Sequence, residues 1–402
     1  MIAKIVRSAA RESSFHEASE AMADLAEVTI SDRQHSRIAH EVGQQLQLDR
    51  DAQVERYQSH SLEPRVSTRP ALAVVEVDGG RLQIRGQGEG PGAHEATWRE
   101  DKVAVLATMA TVTSDCDPEP ELPDCYRDRE YVQKVVGAIS GVSGMGPQDL
   151  SQESPIGLPL MPPREPADPR KKPELSVRTY VATTCPAEQF GPMVACEASR
   201  RNFSNAAQRA FLGDGSAWIW GLHALHFPSF VAVVDFLHAL GHVFSAAKAA
   251  AGGTEGAWVL FEAWAEACWK GRVEQVIEEL RLHQEIQASL VGHSAEALAD
   301  DDPRTIIARE LGYLEHNRQR MDYPRYRRLG LPWTTSHVES AVKIFNRRVK
   351  GSEKFWGEAG AETVLQLRAA YLSEDGRLDR HMKERPCSPH RNYKIRKTGE
   401  AA

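Results

Sequence analysis

Three apolar runs, each closing on an aspartate, constrain this chain more than any other feature. ALAVVEVD ends at Asp78, AFLG leads into Asp214, and FVAVVD ends at Asp235. Short apolar runs bounded by turn residues read as buried strands, and in open α/β sheets ligands sit outside the carboxyl ends of the strands. One strand-end aspartate is a turn residue; three make a candidate site. His238 follows three residues after Asp235, in the first turn of the next helix. After Asp78, Gly79-Gly80 and RLQIRG read as a two-glycine turn into a second short strand, a β-hairpin with the carboxylate at its lip. Asp78 therefore also has a purely structural reading, as the residue that starts a turn.

Around these strands the texture alternates. Residues 14–48 read as two short helices interrupted by Thr29-Ile30-Ser31-Asp32. That pattern suits equally a helix-turn-helix, offering Arg33, Gln34, His35 and Arg37 to a DNA groove, or a plain helical hairpin. Residues 49–69 are polar and suit a linker. A further strand is expected over 102–112, and the acidic, proline-rich stretch 113–175 reads as a flexible excursion with one helix at 128–140. Strand character returns at 176–184, with a helix at 187–199. Residues 240–328 are helical throughout, and the spacing of Trp258, Trp264 and Trp269 suits core packing. The basic, aromatic RQRMDYPRYRRLG could touch a nucleic-acid backbone or be a solvated loop.

The segment LGLPWTTSHVESAVKIFNRRVKGSEKFW (329–356) carries a fourth carboxylate. Ser336 and Glu339 are spaced as a capping box opening a helix. Arg347, Arg348 and Lys350 follow two to three turns later, so acid and bases can share one broad side. Alone, the segment is an ordinary capped helix with a basic face; beside three strand-end aspartates, a carboxylate next to a basic stripe suits metal-dependent work on a phosphate backbone.

Charge sharpens this. The net charge is −7, yet residues 321–402 hold 17 Lys+Arg against 10 Asp+Glu. A basic end on an acidic remainder is what an electrostatic footprint for nucleic acid needs. No apolar run approaches the ~20 residues a membrane span requires, and the first residues lack a signal core, so the cytoplasm, at the nucleoid, is expected. The six cysteines form no C-x-x-C pair, which argues against a zinc ribbon and a disulfide framework.

Taken in order, LGDGSAWIW, VVDFLHAL and GLPWTTSHVESAVKIFNRRVKGSEKFW resemble the DDE transposases of bacterial insertion sequences, in particular the ISKra-type group. The resemblance covers roughly residues 70–375, and more weakly the N-terminal helices. It implies an α/β, ribonuclease-H-like mixed sheet flanked by helices, split into 70–239 (with 113–175 looping out) and 329–375. An all-helical insertion over 240–328 then precedes the last acidic helix, with a helical region at 1–69 and a basic, disordered tail at 376–402. It implies Asp78, Asp214 and Glu339 as catalytic acids and metal ligands, with Asp235 and His238 as an auxiliary D-x-x-H element. Asp235 competes with Asp214 for the place of second acid. The 136 residues between Asp78 and Asp214 depart from the family spacing. The short front of the chain departs too, and suggests a truncated, inactive element.

Three converging carboxylates need cations, and all-oxygen ligation selects Mg²⁺ or Mn²⁺, two ions in this scheme. The expected function is DNA strand cleavage and strand transfer of an insertion sequence. Its partners are double-stranded DNA (element ends and target) and further copies of the chain on that DNA, with no membrane. Arg347, Arg348, Lys350, Arg33 and Arg37 are the expected DNA contacts, and His238 is expected to orient Asp235 or a phosphate. A nuclease of the same fold, or a transposase-derived DNA-binding protein without turnover, remains open beside it.

Overall fold

Five apolar runs become the strands of one mixed, open sheet: β1 (Leu72–Ile84), β2 (Thr97–Ala110), β3 (Glu174–Thr183), β4 (Gln208–Gly213) and β5 (Val231–Val234). A computed structural model describes residues 1–85, 97–143, 173–251, 253–291, 299–351 and 354–385. The strand order is β3-β2-β1-β4-β5. β2 runs antiparallel to both its neighbours, whereas β1, β4 and β5 run parallel. β1, β4 and β5 therefore run the same way, so Asp78, within β1 just past its last pair with β4, lies toward the same edge as Asp214 and Asp235, which follow β4 and β5.

Alternation along β2 sorts the two faces of the sheet. Val103 and Val105 join Leu82 and Ile84 under α12 (Ser336–Val349) and α13 (Glu358–Leu372). Ala104 and Leu106, with Val75 and Val77, face the larger core containing α5 (Ala187–Arg200) and α7 (Phe236–Ala251). Helices thus cover both sides of the sheet. Between α5 and α7 lies α6 (Ala217–His226), which follows Asp214 directly.

The expected two-glycine hairpin turn does not form. β1 runs straight through it, with Gly79 opposite Lys102 and Gly80 opposite Asp101, and the reversal falls between Ile84 and Thr97, partly outside the described residues. A Cβ on Gly80 would lie 2.7 Å from Asp101 Oδ1, so the glycine admits a carboxylate from the next strand rather than bending the chain.

At the front, α1 (Ile2–Arg11) and α3 (Asp32–Gln58) pack on α13 through Val6, Ala39, Val42, Leu367 and Ala370, with α2 (Phe15–Ala26) against α1 and α3. Within the helical region expected over 1–69, α1 precedes the two helices read at 14–48. Two features of the helix-turn-helix reading change here. Arg33 and Arg37 are exposed, but His35 is buried, its Nε2 2.8 Å from the Ile5 carbonyl oxygen, and cannot reach a groove. The polar stretch taken for a linker continues α3 to Gln58, because Val54 and Tyr57 reach the main core.

The acidic excursion is ordered wherever it is described. Leu122, Tyr126 and Val132 enter the main core, α4 (Arg129–Ser143) forms, and Asp117 accepts from Arg327 Nε at 2.8 Å. Residues 144–172, the proline-rich remainder, lie outside the described residues. The long helical stretch resolves into α7, α8 (Thr254–Trp269), α9 (Val273–Val291), α10 (Pro303–Asn317) and α11 (Tyr323–Arg328), with Trp258, Trp264 and Trp269 buried. The tail begins as helix α14 (Arg377–Glu384), held by Arg377 pairing with Asp375 and Glu197; residues 386–402 lie outside the described residues. No described helix is long and apolar enough to cross a membrane.

Candidate functional site

The site grows from the parallel edge of the sheet. The registered β1–β4 pairs end at Glu76 opposite Leu212. Asp78, two residues on, points to the α12 side as Glu76 does, since side chains alternate along a strand. Asp214 follows the last residue of β4 and Asp235 the last residue of β5. Glu339 stands in the first turn of α12, and His238 in the first turn of α7.

The α12 N-terminus is held by carboxylates from the sheet, not by its own capping box. Ser336 is the first helical residue and Thr335 the N-cap. Asp235, wholly buried, accepts from the Thr335 backbone N–H and from Thr335 Oγ1 at 2.6 Å. Glu76, also wholly buried, accepts from the Val338 N–H at 2.9 Å. Two carboxyl groups at a helix N-terminus satisfy its orphan donors, and the ionised Asp235 complements the positive end of its dipole. Tertiary acceptors thus replace the local one, and the cap places Glu339 beside Asp235.

Asp235, His238 and Glu339 form one tight group, each offering a ligand atom within 4.8 Å of the others. His238 donates its backbone N–H to Asp235 Oδ1 at 2.9 Å, and its ring Nδ1 lies 3.4 Å from the same oxygen. The imidazole is therefore part of the acid cluster, beyond the orienting role the sequence suggested. Asp78 and Asp214 border this group closely enough to repel. Burial raises the Asp78 carboxyl to about 6, with Asp214 adding to the push. Burial raises Glu339 to about 7, with Asp235 next in effect. Burial alone would also raise Asp235, but the bonds to His238 and Thr335 outweigh it and hold the group low. His238 shows the opposite balance: burial disfavours its charge, but Asp235, Asp214 and Glu339 lift it to about 10.

Two carboxylates that the sequence reading passed over belong here. Glu76 is raised to about 8, chiefly by burial, and its Oε1 has no partner. Asp101, opposite Gly80, is raised to about 7, again chiefly by burial; both its oxygens are buried and unpartnered. Glu76 was legible as the residue two before Asp78 on the same strand face. Asp101 had no local signal, because its partner across the ladder is set by register.

This donor set suits a hard divalent cation. It is oxygen-rich, Glu76, Asp78, Asp101 and Glu339 are raised chiefly by burial, and several buried oxygens lack a donor. Asp235 is the least free to serve, with both oxygens engaged by His238 and Thr335. Asp214 is half-exposed, but its carboxylate accepts from the Ser216 N–H (2.8 Å) and hydroxyl (2.9 Å) at the start of α6. The acids implied as metal ligands, Asp78, Asp214 and Glu339, are thus neighbours, while the tightest group substitutes Asp235 and His238 for the first two.

The expected basic stripe largely dissolves. Arg348 is buried: Nη1 donates to the Ser13 carbonyl at 3.1 Å and the guanidinium lies over the Phe15 ring at 4.3 Å. It ties α12 to the N-terminal helices and is withheld from DNA. Lys350 is half-buried and lies 5.9 Å from the Trp98 ring; Arg347 alone of the three is exposed. Part of the described basic excess of the C-terminal third is engaged likewise. Arg327 pairs with Asp117, Arg368 donates to the Ala10 and Ile344 carbonyls, and Arg377 pairs with Glu197. Compared with models of protein families and with curated proteins, the chain matches none.

Proposed function

We propose that the chain is a ribonuclease-H-like, divalent-metal-dependent enzyme of DNA strand cleavage and transfer, of the DDE transposase kind. One observation carries this reading. An open sheet of order β3-β2-β1-β4-β5, with β2 alone reversed, gathers Asp78 from within β1 and the aspartates that follow β4 and β5 near Glu339 of α12. The residues that would hold Mg²⁺ or Mn²⁺ are Asp78, Asp214 and Glu339. When bound, such ions polarise a phosphoryl oxygen, generate a nucleophile from water or a 3′-hydroxyl, and stabilise the leaving oxygen.

The chain's own residues supply the rest. Asp235 and Glu76 fix the first turn of α12 and so aim Glu339. His238 offsets negative charge among the acids and keeps Asp235 ionised. Exposed Arg347, with Arg33 and Arg37 on α3, offers cations to phosphates, which gives affinity without sequence choice. Multiple copies on paired element ends fit the same chemistry.

The test is Asp214→Asn. Mg²⁺-dependent cleavage of a duplex carrying the element's end is expected to vanish while duplex binding survives; retained cleavage removes Asp214 from the site. A second reading, a transposase-derived DNA-binding protein without turnover, is favoured by the engagement of the Asp214 carboxylate with Ser216. Binding to the element's ends with no metal-dependent nicking by the wild-type chain would select it.

A further inference from the structure

We propose that Tyr313, on α10, is a positioning residue for Asp214, so that the helices between β5 and α12 take part in forming the acid site. This rests on the reading of Asp214 as a metal-holding acid. Tyr313 Oη donates to the Asp214 backbone carbonyl at 2.8 Å. Its ring also closes over the next residue. Gly215 has φ +106°, and a Cβ there would lie 2.5 Å from Tyr313 Cε2. The Gly213-Asp214-Gly215 turn is therefore shaped against this ring, and its middle peptide is oriented by the phenol.

The phenol is itself held. His242 of α7 stacks on the Tyr313 ring with centroids 3.5 Å apart and planes 17° from parallel. His242 Nδ1 lies 2.5 Å from Glu310 Oε2, and Arg309 Nη2 donates to the other Glu310 oxygen at 2.7 Å. One turn beyond Tyr313, Asn317 accepts from Trp220 Nε1 of α6 at 2.8 Å and donates to the Tyr313 carbonyl at 3.1 Å. Glu310, Tyr313 and Asn317 are spaced three and four residues apart, so one face of α10 meets both the Asp214 turn and the helix after it. Hydrogen bonds that orient a ligating group, without touching the ion, set metal affinity. The Asp214 carboxylate is steered from both ends: Ser216 binds its oxygens, and Tyr313 fixes its peptide plane.

The experiment compares wild type, Tyr313→Phe and Asp214→Asn by calorimetric Mn²⁺ titration of the full chain, with thermal melting in EDTA alongside. Phenylalanine keeps the ring against Gly215 and removes the hydroxyl. The expected result is a melting temperature near wild type with Mn²⁺ affinity weakened on the order of tenfold or more, and a matching rise in the Mn²⁺ needed for half-maximal cleavage. Wild-type Mn²⁺ affinity in Tyr313→Phe overturns the proposal, as does a loss of affinity no larger than its loss of thermal stability explains. Tyr313→Ala, which also removes the ring, is expected to lose melting temperature and affinity together. A wild-type chain that binds Mn²⁺ without cleaving DNA refutes the proposed reaction and leaves the positioning role measurable by titration. A wild-type chain that binds no Mn²⁺ overturns both.

Discussion

Replacing Asp235 by alanine separates an acid that builds the site from one that works in it. The Asp235 carboxylate accepts from three donors: the Thr335 N–H, the Thr335 hydroxyl and the His238 N–H. It also faces the buried His238 ring, whose charge it sustains. A hydrogen bond to a charged group contributes about 1.5–3 kcal/mol, and removing one partner of a buried ion pair costs about 3–5 kcal/mol because the other is stranded. Asp235→Ala should therefore destabilise the fold by about 3–5 kcal/mol. Asp214→Ala should cost about what a helix cap contributes, about 0.5–2 kcal/mol, since its carboxylate hydrogen-bonds Ser216 alone and its repulsion of Asp78 is relieved. Urea unfolding followed by circular dichroism, in EDTA at neutral pH, reads both. A double variant with His238→Ala should recover part of the Asp235→Ala loss, because the stranded charge goes with it. Equal costs at 214 and 235, or an Asp235→Ala cost below about 1 kcal/mol, would refute the claim that Asp235 anchors α12.

Two further outcomes follow from the geometry. Without metal, stability should fall from pH 5 to 8. Glu76, Asp78, Asp101 and Glu339 are raised to about 8, 6, 7 and 7, so the folded chain keeps protons that the unfolded chain has released. The stability tied to His238, raised to about 10, is also complete only below its unfolded value and is lost as pH climbs. Each such group contributes a slope of at most about 1.4 kcal/mol per pH unit. Denaturation midpoints at pH 5.5 and 8 in EDTA measure this, and a midpoint that rises over that interval contradicts it. Arg348→Ala should destabilise the chain by about 2–4 kcal/mol, from lost hydrogen bonds to the Ala9 and Ser13 carbonyls and the Phe15 contact. Arg347→Ala should leave stability within about 0.5 kcal/mol while weakening duplex binding at low salt; a stable Arg348→Ala chain that binds DNA poorly would reverse these roles.

The sequence alone determined where the apolar strands lie and that aspartates follow β4 and β5, but not that β1 runs on past Asp78 to Ile84. Apolar runs that lead into Asp78, Asp214 and Asp235 bury themselves as strands, and residues 240–317 read as helical, while 318–330 could equally have been a solvated loop and forms a short 3₁₀ turn (Arg318–Arg320) and α11 instead. Three-dimensional packing decided how those ends are used. Whether Gly79-Gly80 bends or runs straight depends on Asp101 across the ladder, a partner chosen by register and remote in the chain. The start of α12 has a capping box in its own sequence, yet Asp235 and Glu76 cap it, because acceptors fixed on a rigid sheet lose less entropy than a mobile side chain does. Arg348 belongs to a basic run by spacing and to the interior by its place beneath Phe15. Local sequence sets hydrogen-bonding capacity and period; which donor meets which acceptor is settled only when distant segments, positions 76, 235 and 335 among them, are brought together by the sheet.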